Sequence, residues 1–287
     1  MISKFRIGVL VIILNFFASV AMIWGQVENP SLLQMAVPSL NIAPDARGGG
    51  MGDMGAATLP DINSQYWNAA KYAFMGSKAG VSLSYTPWLR KLVNDVALVN
   101  MTGYYKLGNS DLQAISASLR YFSLGEVNIW ENIGDVPRGV NPYEMAFDVA
   151  YSRKLSESYS MAVTLRYIRS DMGTDQNDES NAGNAFSADI SGYLEKYVLM
   201  GNAEALWSFG FNLSNIGSKI SYDGGNTNQY LPAKLTLGTG LLYPIDDYNQ
   251  IGVYLDLNKY MVPYAPQKEE GETDADYQTR VDDYKSW

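Results

Sequence analysis

The chain has 287 residues, of which 47% are hydrophobic and only 18% charged; it contains no Cys and no His, and its formal net charge is −9. Those absences exclude disulfides, thiolate nucleophiles, imidazole bases and Cys- or His-ligated metals, so neither a Ser-His-Asp nor a Cys-His arrangement can be assembled. The acidic balance disfavours nucleic acid as a partner, while 21 Tyr and 6 Trp against 9 Phe suit a boundary between apolar and aqueous phases.

Lys4 and Arg6 precede an uncharged run over residues 7–27, with small residues at Ser19, Ala21 and Gly25. This layout predicts a secretory signal peptide over residues 1–25, cleaved after Ala21 or Gly25. An uncleaved membrane anchor is the alternative, because the run is almost long enough to span. No Cys follows it, so it is not a lipoprotein signal, and no later stretch approaches 18 consecutive apolar residues.

Residues 26–78 form a distinct segment rich in glycine. Gly50, Gly52 and Gly55 match GxGxxG, but no buried strand precedes them and no βαβ unit follows, as a dinucleotide site requires. Tight backbone packing in a confined space, such as a plug inside a barrel, is the reading they support. Residues 65–74 then read as a short amphipathic helix leading into the first strand.

From residue 79 onward the hydrophobic period is 2. Nine strands follow, with apolar faces marked by Val81/Leu83/Tyr85, Val99/Met101/Tyr105, Ile115/Leu119/Tyr121, Tyr143/Phe147/Tyr151, Tyr159/Val163/Tyr167, Phe186/Ile190, Trp207/Phe211, Leu235/Leu241 and Ile251/Leu257. The opposite faces carry Asn100, Thr102, Lys106, Ser116, Arg120, Glu144, Asp148, Thr164, Arg166, Asp189, Asn212, Lys234 and Asp256. No charge sits mid-strand on an apolar face, where contact with lipid would cost about 2–4 kcal/mol.

A soluble β-sandwich also alternates. Two features favour a transmembrane antiparallel outer-membrane β-barrel. Tyr143/Tyr151 and Tyr159/Tyr167 bracket apolar stretches that rise roughly 20 Å at barrel tilt, close to the roughly 25 Å band between aromatic girdles. The connections also alternate: short at 108–111, 155–158, 200–203 and 244–249, longer at 86–92, 131–142, 171–184 and 218–231. Short periplasmic turns and long extracellular loops are the expected arrangement. Nine strands over residues 79–258 are an odd number, so residues 259–287 are expected to be an acidic extracellular loop, and the chain an N-terminal portion of a larger barrel.

Residues 40–57 together with Tyr66–Phe74, and Pro44–Gly55 most specifically, resemble the PorV family of the type IX secretion system, which is similar in fold to the FadL family. Trp67-Asn68-Ala69-Ala70 resembles the Asn-Pro-Ala-Gly hatch motif of FadL-type proteins, with Ala69 where Pro is common. The resemblance implies a fourteen-stranded barrel, of which about nine strands are present here, with an N-terminal hatch or plug. It also implies a carrier in the bacterial outer membrane rather than an enzyme, without catalytic residues, cofactor or metal. Such carriers collect cargo bearing a type IX C-terminal domain from the translocon barrel and deliver it to a sortase-like attachment complex, in contact with outer-membrane lipid and lipopolysaccharide.

Loops 131–142, 171–184 and 259–287 are the candidate partner surfaces. Asp171, Asp175, Asp178 and Glu179 offer oxygen ligands of the kind Ca²⁺ takes, in irregular spacing that equally describes a solvated acidic loop. Two glycosylation sequons, at Asn100 and Asn212, fall mid-strand and are set aside. The competing functions are a FadL-type uptake channel for hydrophobic small molecules, which needs an apolar lumen pocket, and a rim hydrolase, which lacks a His base.

Overall fold

In the computed structural model the described residues are 33–88, 90–91, 95–108, 112–129, 136–173, 182–201, 203–222, 228–269 and 271–286. The predicted signal peptide, Asp175, Asp178, Glu179 and parts of several connections lie outside them. Two compact units are distinguished, Gln34–Val262 and a smaller one that includes residues 263–286.

The larger unit is all-β. Nine strands form one antiparallel sheet in which each pairs with its neighbour along the chain: β1 (Ala79–Pro87), β2 (Val96–Leu107), β3 (Gln113–Leu124), β6 (Tyr143–Lys154), β7 (Tyr159–Asp171), β8 (Gly183–Met200), β9 (Ala203–Gly217), β10 (Lys234–Pro244) and β11 (Gln250–Tyr260). All nine coincide with strands expected from the period of 2. A two-stranded hairpin, β4 (Val127–Ile129) with β5 (Arg138–Val140), stands apart within the β3–β6 connection; strands of three residues are too short to show a periodic signal. β1 and β11 are the edges of the main sheet, which is open.

The burial pattern is that of a soluble protein inverted. Leu83, Met101, Leu165, Phe186 and Val253 are exposed, whereas Asn100, Ser116, Arg120, Asp148, Arg166 and Asp189 are buried. Alternation puts one set on each face of the sheet, and the apolar set faces outward along the whole wall. Only an apolar surrounding medium makes that arrangement stable, since a soluble sheet buries the opposite face. Among the described residues no helix is long and apolar enough to cross a membrane.

What covers the polar face is the N-terminal segment. Its elements are short: 3-10 turns at Pro38–Asn41 and Ala69–Phe74 and α-turns at Ala46–Gly50 and Ser64–Trp67. The expected continuous helix over 65–74 is instead broken at Asn68, whose extended backbone (φ −169) lets its side chain accept from Ala70 N and cap the second turn. One ladder bond is also replaced. Pairing between β8 and β9 shifts at Ala188/Ile190, and there Asp189 Oδ1 accepts from Asn215 N at 2.7 Å, with Asn215 in the left-handed region (φ 59).

In the smaller unit, residues expected as an extracellular loop hold a helix, Asp274–Ser286. Thr273 Oγ1 accepts from Asp276 N at its start, and two acidic residues occupy its first turn. Arg280 pairs with Glu272 at 2.7 Å, which holds that carboxyl below its ordinary range.

Candidate functional site

The glycine-rich stretch and Trp67 form a single lock. A Cβ built on Gly55 would fall 2.5 Å from Trp67 Cδ2, and one on Gly48 would fall 2.7 Å from Cε2. The indole therefore packs against two backbone segments so closely that only glycine fits at either. Trp67 Nε1 donates to Asp45 Oδ1 at 2.8 Å, and the other carboxylate oxygen caps Gly48 N at 2.8 Å. Gly52 (φ +83) and Asp53 (φ +57) turn the chain back. Of the GxGxxG positions, Gly52 serves the turn and Gly55 serves the indole, whereas a Cβ on Gly50 would meet nothing within 4 Å. At Gly48 and Gly55 the stretch packs against a side chain.

Residues 55–57 are held by side chains in place of a backbone ladder. Asp256 Oδ2 on β11 accepts from Gly55 N at 2.8 Å and Ala56 N at 3.0 Å. Lys71 Nζ donates to Gly55 O at 2.8 Å, Asn68 Nδ2 to Ala56 O at 2.9 Å, and Ser208 Oγ to Ala57 O at 2.6 Å. The wall makes room for this peptide with two further glycines. A Cβ on Gly210 would lie 2.6 Å from Ala56 C, and one on Gly238 would lie 2.9 Å from Ala56 Cβ.

The same segment reaches almost every strand. Ser84 Oγ of β1 donates to Pro44 O, Arg120 Nη1 of β3 to Ser39 O, Ser160 Oγ of β7 to Ala70 O, and Asn212 Nδ2 of β9 to Trp67 O, while Glu144 Oε2 of β6 accepts from Ser39 N. Asn68 Nδ2 also donates to Gly192 O on β8. Because β1 and β11 both bind it, the sheet wraps around it.

Three features of the interior carry charge. Arg166 donates Nε to Asp148 Oδ1 at 2.6 Å and Nη2 to Asp189 Oδ2 at 2.8 Å, with Nη1 also bonded to Asn215 Oδ1. All three ionised groups are buried, so the pairing offsets a desolvation cost of several kcal/mol per ion. Arg120 lies over the Tyr66 ring, 4.5 Å from its centroid; burial raises the Tyr66 hydroxyl above its usual range, against the opposing pull of Arg120. Lys71 is fully buried. Its ammonium bonds to Gly55 O and Thr58 Oγ1, and burial pushes its pKa down to about 8 despite the field of Asp61. Among the described residues one cavity on this face, of about 30 Å³, is bordered by Tyr66, Asp148, Arg166, Asn212 and Asp256, room for a water or two.

The sequence reading anticipated many residues of the polar face but missed Ser84, Ser160 and Asn215 on the wall and Asp45 and Lys71 in the N-terminal segment. The signal for Lys71 is its setting: Asn68-Ala69-Ala70-Lys71-Tyr72-Ala73 has small residues on every side, which suits a close approach from all directions better than an exposed helical face. The Asn100 and Asn212 sequons lie on β2 and β9, as expected. Asp171 ends β7 and accepts from Gly173 N. Among the described residues no group of three acidic side chains is placed to hold a metal ion.

No curated protein matches the chain. The family model for the type IX secretion system protein PorV matches residues 26–268, which takes in the N-terminal segment and all eleven strands. The inverted wall, its filled interior and this match place the chain in the PorV family, as an outer-membrane component of the type IX secretion system.

Proposed function

We propose that the protein is a shuttle: it binds secreted cargo through a type IX C-terminal domain, takes it from the translocon barrel and delivers it to a sortase-like attachment complex. On this reading residues 1–25 direct export to the periplasm. Residues 26–78 are the plug, residues 79–258 contribute to the barrel wall, and residues 259–287 lie outside the cell. The wall closes with strands that pair to the free edges of β1 and β11, since unpaired backbone is not tolerated in lipid.

The filled interior carries the proposal. A channel for hydrophobic small molecules needs an apolar pocket of several hundred Å³. Six strands of the polar face are instead bonded to residues 39–70, and one cavity beside them measures only about 30 Å³. A wall whose polar face is occupied by its own N-terminal segment acts through its rim and loops, which suits a carrier of large partners. The absence of His and Cys from the sequence argues in the same direction, against a hydrolase.

The test is an affinity pull-down of the full-length protein from detergent-solubilised outer membranes, with partners identified by mass spectrometry. Recovery of a very large barrel together with secreted proteins sharing one C-terminal domain supports the shuttle. Recovery of the protein alone with co-purified fatty acid refutes it and favours uptake.

A further inference from the structure

One hairpin outruns the wall beside it, at the end that bears the short connections. β7 begins at Tyr159, level with Leu194, yet β8 continues from Glu195 to Met200 paired to β9 alone. At strand spacing that extension is about 20 Å long. Glu195 N donates to Ser158 O of the β6–β7 turn, the last bond on that side. By the alternation of an antiparallel strand, the N–H and C=O groups of Tyr197 and Leu199 point the same way, while those of Lys196, Val198 and Met200 turn to β9. Among the described residues, which include the whole β6–β7 turn, no strand reaches past Ser158 to meet Tyr197 or Leu199.

The side chains change character at the same point. Tyr193, on the polar face of β8, is fully buried, but Tyr197 and Leu199 on that same face are 68% and 77% exposed. The free edge reads Tyr-Val-Leu-Met over residues 197–200, without the Lys, Pro or bulge that ordinarily blunts an exposed strand. Trp207, level with Lys196 and bonded through Nε1 to Thr239 Oγ1, stands on the outward face at the rim of the apolar band. Residues 197–200 lie beyond it, outside the lipid, where unpaired backbone is tolerated. The free edges of β1 and β11 differ in kind, because they run through the band itself.

We infer that the Glu195–Met200 edge of β8 is a docking site for an extended segment of a soluble periplasmic protein, which adds to the sheet as one further strand. The inference rests on the outer-membrane orientation adopted above, with the short turns in the periplasm, but not on the identity of the cargo. The backbone sets the conformation of the occupant, since only an extended chain presents C=O and N–H groups at the spacing of Tyr197 and Leu199. Its residues opposite those two side chains are apolar, and the alternate ones face water. A second copy does not fit. Two copies in one membrane point the same way, so their β8 edges cannot meet as antiparallel strands. The edge also faces along its own wall, beneath the β6–β7 turn, where the lipid-embedded wall of another copy cannot be placed. Residues 33–37 of the N-terminal segment stand at the opposite end, where Ala36 N donates to Tyr230 O.

Hydrogen exchange on the full-length protein in detergent tests the edge, with a short synthetic peptide of alternating Val and Thr as the probe and its fully N-methylated form as the control. Without peptide the Tyr197 and Leu199 amides should exchange freely while the Val198 amide is protected; saturating peptide should slow both by about tenfold or more. Leu199→Pro removes a donor that the wall does not use, so it should fold normally and weaken peptide binding about fivefold, the worth of one backbone bond. Should the proline disturb the hairpin, Leu199→Lys keeps the donor and charges the edge, and wild-type binding there counts against the site. Protected Tyr197 and Leu199 amides in the free protein, or equal binding of the N-methylated peptide, overturn it. In cells, a photo-crosslinking amino acid in place of Tyr197 should form an adduct with a soluble periplasmic protein that disappears when Leu199→Pro is added. No protein adduct, an adduct with a second copy, or one that persists in Leu199→Pro overturns the assignment of the partner. Cargo recovery in the pull-down is a separate readout, so failure of the edge site and failure of the shuttle are distinguishable.

Discussion

The packing of Trp67 between Gly48 and Gly55 makes the sharpest prediction, because one added methyl group must collide with a side chain that has nowhere to go. In Gly55→Ala the new Cβ would lie 2.5 Å from Trp67 Cδ2 and 2.7 Å from its Cβ. The indole has little room to retreat, because Gly48 also closes on it and Asp45 holds Nε1. Overpacking of this kind costs about 1–3 kcal/mol, and a displaced indole loses the Asp45 bond, worth about 1 kcal/mol. A cost near 2 kcal/mol raises the population with the segment detached about thirtyfold. Hydrogen exchange reads that population directly: the Gly55 and Ala56 amides, bonded to Asp256, should exchange about thirtyfold faster, with the ladder amides of β6 and β7 unchanged. Trp67→Leu costs stability alone, yet it empties the space the methyl needs, so the double variant should be less destabilised than the two single variants summed. Wild-type exchange in Gly55→Ala, or strict additivity in the double variant, refutes the lock.

Four further predictions concern the charges and the wall. Asp45→Ala removes both the cap on Gly48 N and the acceptor for Trp67 Nε1 and should cost about 1–2 kcal/mol by the same exchange assay, more than Asp45→Asn, which keeps one carbonyl oxygen. Arg166→Met strands two buried carboxylates and should cost about 3–5 kcal/mol, visible as loss of the heat-modifiable folded band in gel electrophoresis; a normal folded yield contradicts the network. Lys71 has its pKa pushed from 10.5 down to about 8 by burial. Between those values the detached state binds more protons, so attachment of the segment should strengthen as pH rises from 8 towards 10.5, by about 3 kcal/mol at most; amide protection that is flat over this range, or a Lys71→Met variant with the same slope, rules the lysine out. Leu165→Arg places a charge in the middle of the outward band and should cost about 2–4 kcal/mol and block membrane insertion; normal insertion would mean that this face does not meet lipid.

What the sequence discloses and what it hides divide along a physical line. The nine long strands are legible because each carries its own period of 2, and the sense of the wall is legible because no charge interrupts the apolar face. The hairpin β4–β5 is hidden because three residues hold no period, and the break at Asn68 because only its side-chain cap to Ala70 separates two turns from one helix. The filling of the interior is hidden for a deeper reason. Gly55 meets Asp256 across 201 residues of chain and Asn68 meets Gly192 across 124, and no local pattern encodes either contact. What the sequence does display is the chemistry such contacts need: glycines where backbones and an indole close on one another, and a wall lined with short hydroxyl, amide and carboxylate groups. A water-filled pore needs only a polar lining. This wall also carries Gly210 and Gly238 where residues 55–57 press against it, positions that a freely hydrated lumen has no reason to leave without side chains, and so the fit between segment and wall is written on both of them.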